Sequence, residues 1–174
     1  MSTDRTPRQV ALAHAVVGFA TCLCLIVFYT GASAFGPIND VGNAALGVLS
    51  CALAWVLRPR RTVLLGFAAI GAALTVLGTV LVLAGVTGFY LAGLWSSFGF
   101  ALIGVWLVGV RGFLPGAVML LGLVGVPGIL MGLDDMGSAP GWTFAAGISW
   151  AGTYLLFPAW SLRLARQDRP ERVL

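Results

Sequence analysis

Six apolar runs of about 17 to 26 residues follow one another along the chain, and no other feature restricts its fold as tightly. At about 1.5 Å per residue, each run is long enough to cross a hydrocarbon layer of roughly 30 Å as a modestly tilted helix. We place these helices at about 10–35, 41–57, 62–86, 89–110, 113–133 and 142–162, with a basic tail over 163–174. The connections are short, so successive runs pair as antiparallel neighbours. The expected fold class is therefore all-α: a single-domain polytopic membrane protein whose six transmembrane helices form three antiparallel hairpins over residues 1–174. A composition that is 59% hydrophobic and 9% charged, with a mean hydropathy of +0.98, agrees that lipid is the main solvent.

Arg58-Pro59-Arg60-Arg61 is the only charge cluster between residues 41 and 110, and it decides how such a bundle is threaded. Short cytoplasmic loops collect arginine. With that loop inside, six crossings put Arg111, Arg163 and Arg166 on the same side. Asp40, Asp134 and Asp135 then fall on the opposite side, and both termini are cytoplasmic. All ten basic residues are arginines at a terminus or in a short loop. Hence the net charge of +4 points to anionic lipid head groups and topology, with no nucleic-acid partner. Arginine without lysine, and 24 glycines, resemble the product of a G+C-rich bacterial genome; the expected location is a bacterial cytoplasmic (inner) membrane.

Several local features refine this picture. Cys22, Cys24 and Cys51 lie inside apolar runs and read as buried thiols. Ala32-Ser33-Ala34 resembles a signal-peptidase site, but the preceding run is too long for a cleavable signal and reads as a retained crossing. Pro37 belongs to an outer loop over 36–40. Pro115 falls in the first turn of the fifth helix and Pro127 in its interior, where a kink is expected. The even-numbered crossings each end in tryptophan followed by arginine: Trp55 with Arg58, Trp106 with Arg111 and Trp160 with Arg163. This echo fits tryptophans anchored at the head-group level. In helix count, the three hairpins resemble urea and amide channels, although none of the motifs of those channels appears.

Helices associate in lipid through small residues, because burial of apolar surface gives little advantage there. Such seams run through His14, Gly18, Thr21 and Leu25 in the first crossing and Asn43, Gly47, Ser50 and Ala54 in the second. The third crossing carries Gly71, Thr75, Gly78, Val82 and Gly85, and the fourth Gly93, Ser97, Ala101 and Gly104. They predict a compact bundle and leave room for a homo-oligomer or a membrane partner protein.

Four groups are candidates for function. Asn39, Asp40 and Asn43 together suit a cation or polar ligand; on its own, Asp40 reads as the N-cap of the second helix. Asp134 and Asp135 sit at the unfavourable end of the fifth helix dipole and either join Asp40 in a three-carboxylate cluster or remain a solvated loop. His14 is an intramembrane ionisable group, for which a hydrogen bond to a neighbouring carbonyl is the ordinary role. Tyr29, Thr30, Tyr90, Trp95, Ser96, Trp142 and Thr143 form an interfacial belt that is also able to line a pocket.

The sequence contains no HExxH, CxxC, P-loop or GxGxxG pattern, and its one histidine is expected near the inner face while the three acids lie near the outer one, so acid and base do not meet at one centre. We therefore expect no enzymatic activity, no catalytic residue, no metal and no cofactor. The expected role is binding a lipid or small hydrophobic ligand, or serving as an accessory membrane subunit. The alternatives are a small-solute channel or transporter entered past the acids, and an enzyme acting on lipid.

Overall fold

The computed structural model describes residues 6–57 and 62–167. Arg58, Arg60 and Arg61, the loop from which the threading was counted, lie outside the described residues. Among the described residues there is no strand, and five helices are long and apolar enough to cross a membrane. The first four are α1 (Thr6–Tyr29), α2 (Phe35–Leu57), α3 (Thr62–Leu83) and α4 (Phe89–Gly109). The fifth crossing comprises α5 (Phe113–Met119), a 3-10 stretch over Leu120–Gly125 and α6 (Val126–Leu130). The sixth is made of α7 (Phe144–Ala151), a π turn (Gly152–Leu156) and α8 (Phe157–Arg166). The chain is thus an all-α polytopic membrane protein of three antiparallel hairpins.

The second helix begins six residues before the expected Val41, and this shift changes the molecule most. The chain reverses at Thr30–Ser33, where Gly31 takes φ +105°, so α1 ends at Tyr29 rather than Phe35. Pro37 then falls in the first turn of α2. A missing N–H is harmless there, because the first four amides of a helix have no intrahelical partner. Residues 36–40 are consequently helix and not loop, and Asp40 is no N-cap: it lies in the second turn, 8% exposed.

Prolines also explain the two broken crossings. The 3-10 stretch immediately precedes Val126-Pro127, where the missing Pro127 amide interrupts regular α pairing. In the sixth crossing the π turn spans residue 154, whose carbonyl would otherwise meet the ring of Pro158 four residues on. That crossing extends to Arg166, so Arg163 and Arg166 belong to the last turn of α8 and not to a tail.

Each crossing packs on the next, and the sixth returns to the first through α1 and α8. The most buried crossing is α4, which touches α2, α3, the fifth crossing and α7. Close approach depends on two reciprocal glycine pairs. A methyl group on Gly71 or Gly99 would run into the other's carbonyl oxygen, and Gly104 and Gly116 have the same relation. Gly99 therefore faces α3, while the anticipated α4 seam through Ser97 and Gly104 serves the fifth and sixth crossings.

Leu46, Leu53, Phe100, Ile103, Trp106 and Phe157 fill the interior. Large apolar side chains such as Val16, Leu23, Val48 and Ile148 also cover the outside, as expected where lipid replaces water. The tryptophan echo does not describe three equivalent anchors. Trp55 is 66% exposed, whereas Trp106 is fully buried, its ring 6.2 Å from Phe157 and 6.3 Å from Trp160. Strand-like alternation plays no part; the hairpins alone place Arg8, Arg111, Arg163 and Arg166 at one end of the bundle. Asp40, Asp134 and Asp135 occupy the half nearer the other end, called the acid end below.

Candidate functional site

The site lies at the seam where α1, α2 and the sixth crossing meet. Asn39 and Asn43 are one helical turn apart, so both project from the same face of α2. Asn39 donates from Nδ2 to the Thr21 carbonyl of α1 at 3.1 Å, and Asn43 donates from Nδ2 to Asn39 Oδ1 at 3.4 Å. Tyr154, carried by the π turn, donates from its hydroxyl to Asn43 Oδ1 at 2.6 Å. These bonds run in one direction, from the sixth crossing through α2 to α1. Eight residues separate Phe35 from Asn43, or roughly 12 Å of helix, which brings this layer near the middle of a 30 Å hydrocarbon core.

Asp40 adjoins the layer but differs from it. Its main-chain carbonyl accepts from Thr79 Oγ1 of α3 at 2.7 Å. Its carboxylate, by contrast, has no hydrogen bond or ion pair among the described residues, although the residue is buried. It lines a small pocket of about 10 Å³ together with Asn39, Asn43, Ser96, Phe100 and Tyr154. The Ser96 hydroxyl is likewise without a partner among the described residues.

Beside this polar pocket, toward the acid end, lies a larger apolar cleft. The cleft measures about 140 Å³ and is walled by Tyr29, Phe89, Tyr90, Phe144 and Trp150, with Met136 at its loop side. Phe89, Gly93, Ser97 and Trp150 line both spaces, so the two lie side by side. Two hydrogen bonds strap the cleft walls together. Trp150 donates from Nε1 to Ser97 Oγ at 3.0 Å, and Tyr90 donates to Thr143 Oγ1 at 2.7 Å while Thr143 donates onward to the Pro140 carbonyl. Of the belt residues considered in the sequence, Tyr29, Tyr90 and Thr143 line the cleft and Ser96 the deeper pocket. Thr30, Trp95 and Trp142 line neither.

His14 belongs to a second polar layer, nearer the arginine end. Ser50 donates its hydroxyl hydrogen to the Leu46 carbonyl at 2.7 Å, so its oxygen accepts from His14 Nε2 at 3.2 Å. The other ring nitrogen, Nδ1, then accepts from Ser161 Oγ at 3.0 Å. A neutral imidazole is satisfied on both sides, and its ring rests 3.9 Å from that of Phe157. The bonds reach two serines on two other helices rather than the single backbone carbonyl anticipated. Asn43 and Ser50 are seven residues apart on α2, about 10 Å, and fully buried Leu46 and Phe157 occupy the level between. Gly18 permits this closure, because a side chain there would strike Pro158.

The two outer acids serve the connections. Asp134 Oδ2 accepts from the amide of Gly88, the N-cap of α4, at 2.7 Å. Across a loop it thus supplies the negative charge that a helix N-terminus favours. Asp135 Oδ1 accepts from the Gly137 amide at 2.9 Å and holds a tight turn. The structure does not gather Asp40, Asp134 and Asp135 into one carboxylate cluster; among the described residues no group of three acidic, histidine or cysteine side chains is placed to hold a metal. The three cysteines are free.

Sequence inspection missed Tyr154 and Ser161 as partners of the polar α1 and α2 residues, and Trp150 as the partner of Ser97 in α4. The available signal was Pro158 inside an apolar run, which foretells a distorted turn where helix carbonyls and side chains are redirected. Comparison with known protein families, characterised proteins and solved structures finds no match.

Proposed function

We propose that this protein is a non-enzymatic membrane receptor or carrier-type binding protein for a small amphiphile, whose apolar body occupies the aromatic cleft and whose polar head reaches the Asp40 pocket. One observation carries the proposal: the carboxylate of Asp40, a residue only 8% exposed, has no partner among the described residues and lines a small pocket beside an apolar cleft. Ligand sites typically combine an apolar wall with a few convergent polar groups, and the cleft and the pocket beside it supply one of each. Charges buried without a partner are expensive in lipid, which favours a role in binding over one in stability.

Gly93 supplies the test. Its position borders both volumes, and an added methyl group would meet only Trp150, at 3.6 Å. Gly93→Leu should fill the junction without displacing a helix. Native mass spectrometry of protein released from its membrane should find a retained small amphiphile that is lost in Gly93→Leu. Retention of nothing, or equal retention by both proteins, would remove the cleft from consideration as a binding site.

In the same reading the arginine end faces the cytoplasm of a bacterial cell, and the cleft opens toward the extracytoplasmic side. Arg8, Arg111, Arg163 and Arg166 at one end support this threading through the arginine bias of cytoplasmic loops. They also suit anionic lipid head groups. Cysteine substituted at Arg111 should be labelled only from the inner side of sealed vesicles. A second reading, a transporter, is favoured by the His14 layer beyond the Leu46 and Phe157 barrier, since alternating access needs polar groups in both halves. Saturable amphiphile flux in proteoliposomes, abolished by Gly93→Leu, would select it.

A further inference from the structure

Resting on the binding reading above, we infer that the head group taken by the deep pocket is a primary ammonium. The Asp40 carboxylate is a strong acceptor with no hydrogen-bond partner or counter-ion among the described residues, and it is 8% exposed. Its neighbours in the pocket add oxygen acceptors, including the Ser96 hydroxyl and the hydroxyl of Ser97, which already accepts from Trp150. None of the pocket's lining residues is basic. An anionic head would meet a carboxylate with nothing to offset it, and a neutral head would leave the buried charge unpaired. A cationic head offsets the ionised carboxylate directly.

Size narrows the class further. Between its lining atoms the deep pocket has room for about one water-sized group, which accommodates –NH₃⁺ but not trimethylammonium. An –NH₃⁺ group also brings three donors, matching a carboxylate and nearby hydroxyl oxygens, whereas a quaternary head brings none. The rings of Phe89, Phe100 and Trp150 line the approach and favour a cation over a neutral head. The apolar cleft beside it, which shares Phe89, Gly93, Ser97 and Trp150 with the pocket, then receives the alkyl body.

Equilibrium binding of radiolabelled dodecylammonium, dodecyltrimethylammonium and dodecanol to the full chain in phosphatidylcholine nanodiscs tests the assignment, with protein-free discs subtracted. Wild type should prefer dodecylammonium over both others by on the order of tenfold or more, and Asp40→Asn should level the three while still binding dodecanol. Equal binding of all three probes to wild type overturns the ammonium assignment and leaves the cleft standing. Saturable binding of none overturns both. A preference that survives in Asp40→Asn overturns the role of Asp40, and if that variant does not fold, the wild-type series decides the head-group question alone. Phosphatidylethanolamine introduced into the discs separates two sources of the same chemistry: displacement of dodecylammonium identifies a lipid head group, and its absence identifies a free amphiphilic amine.

Discussion

The two polar layers along the α1, α2 and sixth-crossing seam are built from the same helices and differ in completeness. Around His14, every polar atom has a partner: Ser50 and Ser161 hold the imidazole on both sides, and Phe157 covers its face. Around Asp40, Asn39, Asn43 and Tyr154 are joined, but the carboxylate at their edge is not, and a cavity opens beside it. A saturated, filled layer fastens helices together. An unsaturated, hollow one has capacity left for a molecule from outside. The contrast matters because composition alone makes His14 the more conspicuous residue, whereas both of its ring nitrogens already have partners.

Stability measurements offer ways to break this contrast. The largest effect is expected for His14→Ala, which removes two hydrogen bonds and opens a void against Phe157; unfolding in nanodiscs should show a loss of about 3 kcal/mol. Amphiphile preference measured on the surviving folded fraction should not change. Tyr154→Phe should cost about 1 kcal/mol, the scale of a single hydrogen bond between membrane helices. It should also loosen the acid-end layer enough to weaken amphiphile binding. The smallest expected change is for Asp40→Asn without ligand, where replacing a lone buried carboxylate by an amide should raise stability by up to about 1 kcal/mol. If Asp40→Asn instead unfolds the protein while His14→Ala is silent in thermal melts, the assignments of the two layers are reversed. Asp134→Ala sharpens the picture at a third place: loss of its bond to Gly88 should lower stability by roughly 0.5 to 1 kcal/mol with no effect on binding.

Much of the architecture was legible because it depends on local quantities. The length of each apolar run and the shortness of each connection are contained in the sequence, and they suffice for six crossings in three hairpins. The start of α2 was misjudged for a specific reason. Proline after glycine resembles a loop, yet Pro37 also suits a first helical turn, where its missing amide is not needed. That ambiguity moved Asp40 from a cap at the surface to a buried side chain. Trp106 was misjudged in the same way: its place at a helix end resembles an interfacial anchor, but the burial of α4 encloses it.

The amino-acid order by itself determined that this chain must live in lipid as paired helices, because backbone polar groups in hydrocarbon require internal hydrogen bonds and the apolar runs have the length to provide them. Which polar side chains meet was decided only in the folded bundle. Asn43 and Tyr154 are separated by 111 positions and His14 and Ser161 by 147, and their contact requires the sixth crossing to close against the first. Helix rotation, the π turn before Pro158 and that closure set the polar seam and its cavity, since each depends on small-residue packing between distant segments rather than on the character of any one run.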